Sequence, residues 1–321
     1  MTTLKTKLAV AAASVLALAV TAHAQTFGNI TTSGFVLGSY QKTSGTGTDH
    51  LDIDSAMLKF TGDYKPVQGV ISLYYVPTPP VGTNNLLLLD AYATYDAGGG
   101  WSVTGGRFLS WMGFESFFTV NNPEISFGYL NGIIAGYEDG ARVVYTDKDW
   151  NAGVAVVDSA LNSPTAFKGD GELKKSYGLE TYFSYGGIKD NSLFLGISYD
   201  SKNGAVKEQE TYDLWDQYQI DKNTYVAGEV AYHEGGTGTA VGNATSYLAL
   251  LDYTFSDQVS AAFRIGGDLN KKPTPDDTKY TFAPTYTINS HFSVRGEISY
   301  IVTAGPTANT TFWGVQGVFK F

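Results

Sequence analysis

The sequence has no cysteine, so it can form neither a disulfide framework nor a thiolate metal site. Charge is sparse at 16% of residues and leans acidic, with 31 Asp and Glu against 21 Lys and Arg. No basic stripe is present to neutralise phosphates, which argues against a nucleic-acid partner. Histidine is nearly absent as well. Beyond the first 24 residues only His50, His233 and His291 occur. A hydrolase needs a general base held beside a nucleophile or an acid. His50 follows Asp49 and His233 precedes Glu234, both at or beside expected loops, with no nucleophile elbow or H-E-x-x-H helix. These read as surface histidines, and an enzyme is not expected. Long apolar runs are missing too. After the N-terminal segment nothing approaches 18 consecutive apolar residues, so membrane-spanning helices are excluded.

The chain opens with Lys5 and Lys7, a short apolar run from Leu8 to Val20, and Ala22-His23-Ala24. These are the charged region, apolar region and A-x-A site of a secretory signal peptide, giving an expected signal over 1–24 and a single exported unit over 25–321. Backbone crosses lipid without orphaned hydrogen-bonding groups only as a helix or a closed barrel. With helices gone, a membrane protein here must be a barrel.

The barrel signature is a series of strands of about 10 residues with alternating polarity, separated by turns. Leu87, Leu89, Ala91, Ala93 and Tyr95 alternate with Asp90 and Thr94. Thr245, Tyr247, Ala249, Leu251, Tyr253 and Phe255 alternate with Ser246, Asp252 and Thr254. Each such segment has one lipid-compatible face and one wet face. A soluble sandwich would also alternate, but its wet face should be dense in charge, whereas here it is mostly Ser, Thr, Gly and Gln. Aromatics gather at strand ends, among them Tyr64, Tyr145, Tyr185, Tyr199 and Tyr300, where rings sit at headgroup level. Short connections, such as 63–68 and 256–258, interleave with longer ones, such as 109–136 and 159–174. Outer-membrane barrels have this pattern of short periplasmic turns and longer outer loops. The reading is an all-β transmembrane antiparallel barrel of sixteen strands, with fourteen or eighteen as alternatives. The last strand alternates through Trp313, Val315, Gly317, Phe319 and Phe321, and a terminal amphipathic strand ending in phenylalanine resembles the signal read by barrel assembly machinery.

Function follows from strand number, because sixteen to eighteen strands leave an aqueous channel. Such a channel would sit in outer-membrane lipid and pass small hydrophilic solutes, with no cofactor. The connection 109–136 is long enough to matter and holds Trp111, Phe114, Phe117, Phe118, Phe127 and Tyr129 with the acids Glu115 and Glu124. Six aromatics would be poorly solvated outside, so this third outer loop is expected to fold into the lumen. Strand parity puts Asp90, Arg142, Glu180, Glu229, Asp252, Arg264, Arg295 and Glu297 on wet faces. The expected constriction sets Glu115 and Glu124 against Arg107, Arg142, Arg264 and Arg295, the only arginines in the chain. Large porins often share a wall, so a homotrimer is an assembly to test, although no residue here points to it.

The stretch from Gly106 to Tyr145 resembles the outer-membrane β-barrel porin family called porin-2, OmpL-like. The matching elements are Gly106-Arg107-Phe108, Gly113-Phe114-Glu115, Asn121-Asn122 and Gly140-Ala141-Arg142. Many members carry Ser-Arg after the Asn segment, where this chain has Ser126-Phe127. The resemblance implies passive diffusion of small hydrophilic solutes. An adhesive or structural barrel, and a channel for one substrate class, are the competing readings. Asp276 and Asp277 read as solvated turn charges rather than calcium ligands.

Overall fold

Sixteen antiparallel strands follow one another around a closed ring in the computed structural model. They are β1 (Ile30–Thr43), β2 (Asp49–Tyr64), β3 (Val67–Tyr75), β4 (Leu86–Gly98), β5 (Trp101–Leu109), β6 (Tyr137–Thr146), β7 (Trp150–Val157) and β8 (Gly178–Tyr185), then β9 (Asn191–Asp200), β10 (Gln209–Asp221), β11 (Thr224–Gly235), β12 (Ala244–Ser256), β13 (Val259–Leu269), β14 (Asp277–Thr287), β15 (Phe292–Thr303) and β16 (Thr310–Lys320). The structure describes residues 26–27, 29–45, 49–77, 85–129, 136–161, 177–201, 208–235, 243–269, 275–305 and 309–321. The signal expected over 1–24 lies outside the described residues, as do parts of the longer connections.

Each strand pairs with its sequence neighbours, and β16 returns to β1 with Phe312 opposite Thr43 and Lys320 opposite Phe35. Closure pairs every ladder and leaves no edge, which is the condition for a sheet in lipid. The turns on one rim are tight. Gly99 and Gly100 alone join β4 to β5, and Gly100 has φ +88 with a position where a Cβ would come within 2.4 Å of the Thr146 carbonyl oxygen. Only glycine fits there.

The two faces divide as alternation requires. Large apolar side chains such as Ile71, Val154, Ile298 and Val315 are about half exposed on one face, while Ser72, Thr211, Ser246 and Asp268 are fully covered on the other. Rings line the tight-turn rim. Trp101, Tyr145, Trp150 and Phe183 form a continuous row with centroids 4.9, 5.1 and 5.9 Å apart.

Alternation fails as a guide in β4. The outward residues before the middle of that strand are Leu86 and Leu88, not Leu87 and Leu89, and Leu89 is completely buried. The cause is a bulge. Ile71 pairs with Ala91 but Leu73 pairs with Leu88, so one extra residue lies between them and Leu89 and Asp90 both point away from the exposed face. Strand β1 alternates poorly for a different reason. Phe35 and Leu37 lie on its buried face, where they pack with Val120, Phe118 and Val318. In β10, Asp216 does stand on the exposed apolar face, with its carboxylate accepting a hydrogen bond from Asn191 at 2.8 Å. Two other expectations are corrected. His233 is buried, with its ring 3.0 Å from the Thr211 hydroxyl, and Asp277 is a buried strand residue rather than a solvated one.

Candidate functional site

Residues 110–136 join β5 to β6, and the described part, 110–129, is a compact coil with a single 3-10 turn at Thr119–Asn121. It folds on itself through Asn122. That amide accepts the Ser116 N–H at 2.8 Å and donates to the Ser116 carbonyl at 3.0 Å. Irregular backbone carries unpaired N–H and C=O groups that must find partners when buried. Here the partners are charged side chains from the polar face of the sheet.

The acids take the N–H groups. Glu180 of β8 accepts from Trp111 at 3.2 Å and from the Ser110 hydroxyl. Asp213 of β10 accepts from Gly113 at 2.8 Å, and Glu229 of β11 accepts from Phe114 at 2.8 Å and from the Tyr129 hydroxyl. Glu297 of β15 accepts from Ile125 at 2.7 Å and Ser126 at 2.9 Å. The bases take the carbonyls. Lys279 of β14 donates to Phe127 at 3.0 Å and Arg295 of β15 to Asn122, while Arg142 of β6 donates to Leu109, the last residue of β5, at 3.1 Å. Charged partners make these bonds about twice as strong as neutral ones.

Side chains add a second layer. Arg264 of β13 is fully buried, in direct contact with Glu115 and 3.4 Å from Glu124. Glu115 also accepts the Gly128 N–H at 2.7 Å. Lys279 lies 3.6 Å from Glu297. Aromatics of the connection pack where the sheet offers apolar area: Phe118 on Phe35 and Tyr74 at 5.7 and 5.5 Å, Phe114 on Trp215 at 5.7 Å, and Trp111 on Tyr182 at 4.5 Å. At one point backbone meets backbone. A Cβ on Gly266 of β13 would come within 2.9 Å of the Gly128 carbonyl oxygen. Burial sets the titration of the two acids of the connection. It pushes Glu115 up, and it pushes Glu124 up to about 7, with Arg264 opposing in both cases.

Of the residues singled out from sequence, the structure gathers Glu115, Glu124 and Arg264 into one cluster, with Arg295 and Glu297 beside it on β15. Glu180, Glu229 and Arg142 touch the connection farther along. The guanidinium of Arg142 also lies 4.2 Å over the Phe108 ring. The acids and arginines meet in contact here and do not face one another across an open gap. Arg107 is not part of the cluster. It pairs with Asp139 on the next strand at 3.1 Å. Asp90 sits apart, accepting from Ser72 at 2.7 Å with Lys59 at 3.8 Å, and Asp252 is half-buried on β12. Phe321 closes the seam, exchanging two 3.0 Å backbone bonds with Gly34. Sequence reasoning missed Lys279 and Asp213. The signal was present, since Lys279 and Thr281 alternate with Tyr280 and Phe282, and Asp213 with Tyr212 and Leu214.

A closed sixteen-stranded barrel, apolar outside and polar within, with a long connection after its fifth strand, defines the porin class. The family model described as "Putative beta-barrel porin-2, OmpL-like" matches residues 18–318, and the chain belongs to that family. Its fold is similar to that of the outer membrane channel DcaP of Acinetobacter baumannii, with TM-score 0.68 and 12% identity over 91% of this chain and 97% of that one. OprB of Pseudomonas putida gives TM-score 0.69 and 12% identity over 91% and 94%. OmpF of Salmonella typhi gives 0.68 and 13% over 91% and 97%. No curated protein matches the chain in sequence. Family and fold point to a channel rather than an enzyme.

Proposed function

We propose that the protein is an outer-membrane porin whose water-filled lumen passes small hydrophilic solutes and ions by passive diffusion, narrowed by residues 110–129. The observation that carries this reading is the set of backbone bonds from that segment to charged side chains on strands from β8 to β15, the polar face of a barrel large enough to stay open. The exported chain would reach the outer membrane through its N-terminal signal, and its last strand, ending at Phe321, would be read by the assembly machinery.

The predicted constriction residues acquire a more specific role. Glu180, Glu229, Glu297 and Arg295 hold the segment in place, Arg142 lies over its Trp111 ring, and Arg264 pairs with Glu115 and Glu124 in contact. Selectivity then rests on charges outside these pairs. With 31 acids against 21 bases, and Asp54 and Asp252 only half-buried on the polar face, we infer a cation preference. Single-channel recording of the refolded protein in a planar bilayer tests both points. Large ohmic steps with a cation-selective reversal potential are expected under a salt gradient. Correctly folded, heat-modifiable protein without channel activity would refute the porin reading in favour of a closed or adhesive barrel.

A specific channel for sugars would need exposed ring faces. The rings nearest that description, Tyr182, Phe194 and Trp215, are stacked on one another at 5.7 and 5.1 Å with interplanar angles of 14° and 6°. Stacking of this kind spends the ring faces on neighbours, which favours the general pore.

A further inference from the structure

Glu124 is the most constrained acid of the connection. It is 1% exposed, and its Oε1 has no hydrogen-bond partner. Its Oε2 lies 3.4 Å from Arg264 Nη1, but the same nitrogen is in direct contact with Glu115. One guanidinium edge therefore serves two carboxylates. The other cations are committed elsewhere. Lys279 of β14 is bonded to Ser126, to the Phe127 carbonyl and to Glu297, while Arg295 of β15 is bonded to Gln316 and the Asn122 carbonyl. The remaining neighbours give no relief. Glu115 and Glu297 add like charge, and β11 presents Tyr225, paired across to Asp252 of β12. A buried carboxylate with an orphaned oxygen is costly, and a neutral carboxylic acid in the same place costs far less.

We propose that segment 110–129 is latched to the wall through a protonated Glu124, and that losing this proton as the pH rises past neutrality loosens the segment around Arg264. The inference rests on the constriction reading for its effect on conductance, but the latch itself does not. Burial pushes the carboxyl up to about 7, from an ordinary value near 4.5. A carboxyl whose docked value is raised favours docking most in acid. That contribution falls away as the pH climbs between the two values and is gone above the higher one. Linkage then makes docking about tenfold weaker at pH 8 than at pH 6.

Two measurements on the full-length barrel refolded in detergent micelles test this. Carboxyl carbon NMR of glutamate-labelled protein should show one resonance titrating near pH 7 that is missing from Glu124→Gln. Hydrogen exchange of the 110–129 amides, corrected for intrinsic rates, should quicken from pH 6 to pH 8 in the wild type and stay flat in Glu124→Gln, because the amide imitates the neutral acid. If every glutamate titrates below pH 5.5, or if Glu124→Gln keeps the pH dependence, the latch is overturned. Bilayer conductance should rise over the same range in the wild type only. Exchange that follows the latch while conductance stays level would overturn the constriction reading and leave the latch standing.

Discussion

Replacing Glu297 by Gln tests whether charged side chains of the wall hold the long connection. Glu297 Oε2 accepts the Ile125 and Ser126 amides at 2.7 and 2.9 Å, and Oε1 accepts the Ser126 hydroxyl and that of Ser299 while pairing with Lys279. The side chain is wholly buried. Glutamine keeps the shape and one acceptor oxygen, but it loses the charge, points an NH2 at donors and strands Lys279. Charge-assisted bonds contribute roughly 1.5–3 kcal/mol each, and breaking a buried pair costs about 3–5 kcal/mol. Allowing for the acceptor that remains, docking should weaken by about 3 kcal/mol, roughly a hundredfold in the opening equilibrium. Amide exchange of Ile125 and Ser126 reads this directly, with Val230 and Leu250 in the ladder as internal references. Those two amides should lose about a hundredfold protection while the strands keep theirs. Adding Lys279→Met to Glu297→Gln should recover part of the loss, since the stranded ammonium is then gone. Unchanged protection of Ile125 and Ser126 in a folded Glu297→Gln barrel would refute the anchoring argument.

Three further outcomes are expected. Gly266→Ala places a Cβ within 2.9 Å of the Gly128 carbonyl oxygen, so the connection must lift there, and single-channel conductance should rise with the urea midpoint of the barrel little changed. Arg264→Met leaves Glu115 buried without the cation it contacts, at a cost of about 3–5 kcal/mol to docking, read as faster exchange across 110–129; Arg264→Met with Glu115→Gln should restore part of it. Deleting Phe321 removes two 3.0 Å seam bonds to Gly34 and should lower the yield of heat-modifiable barrel on refolding into lipid vesicles.

The strand count and the order of tight and long connections were legible because the polar face of a barrel has nowhere else to go, so alternation persists through β8, β12 and β15. What broke it was local. A single extra residue between Leu88 and Ala91 reverses the reading of half of β4, and nothing in the residue types of that run marks the bulge. Phe35 and Leu37 blurred β1 because their partners, Phe118 and Val120, come from a segment far along the chain. The same reason limits the site. Parity separates Arg264, Arg295 and Glu297 from the exposed apolar face, but it cannot say that a carboxylate meets a backbone amide some 170 residues away instead of water. Arg107 was assigned to the cluster from its nearness to the connection in sequence, and its actual partner, Asp139, is fixed by strand register.

The way the long connection is fastened also decides what can vary. Most of its polar attachments run from main-chain N–H and C=O groups to side chains on the wall, and main-chain groups are the same whatever residue carries them. Substitutions along much of 110–129 can therefore reshape the connection without cutting it loose, whereas a single exchange at Glu180, Asp213, Glu229 or Glu297 removes a fastening that no change in the connection can replace. On the function proposed above, the barrel serves as a fixed socket and the connection as an exchangeable insert, and 110–129 is where grafted sequences would alter permeability.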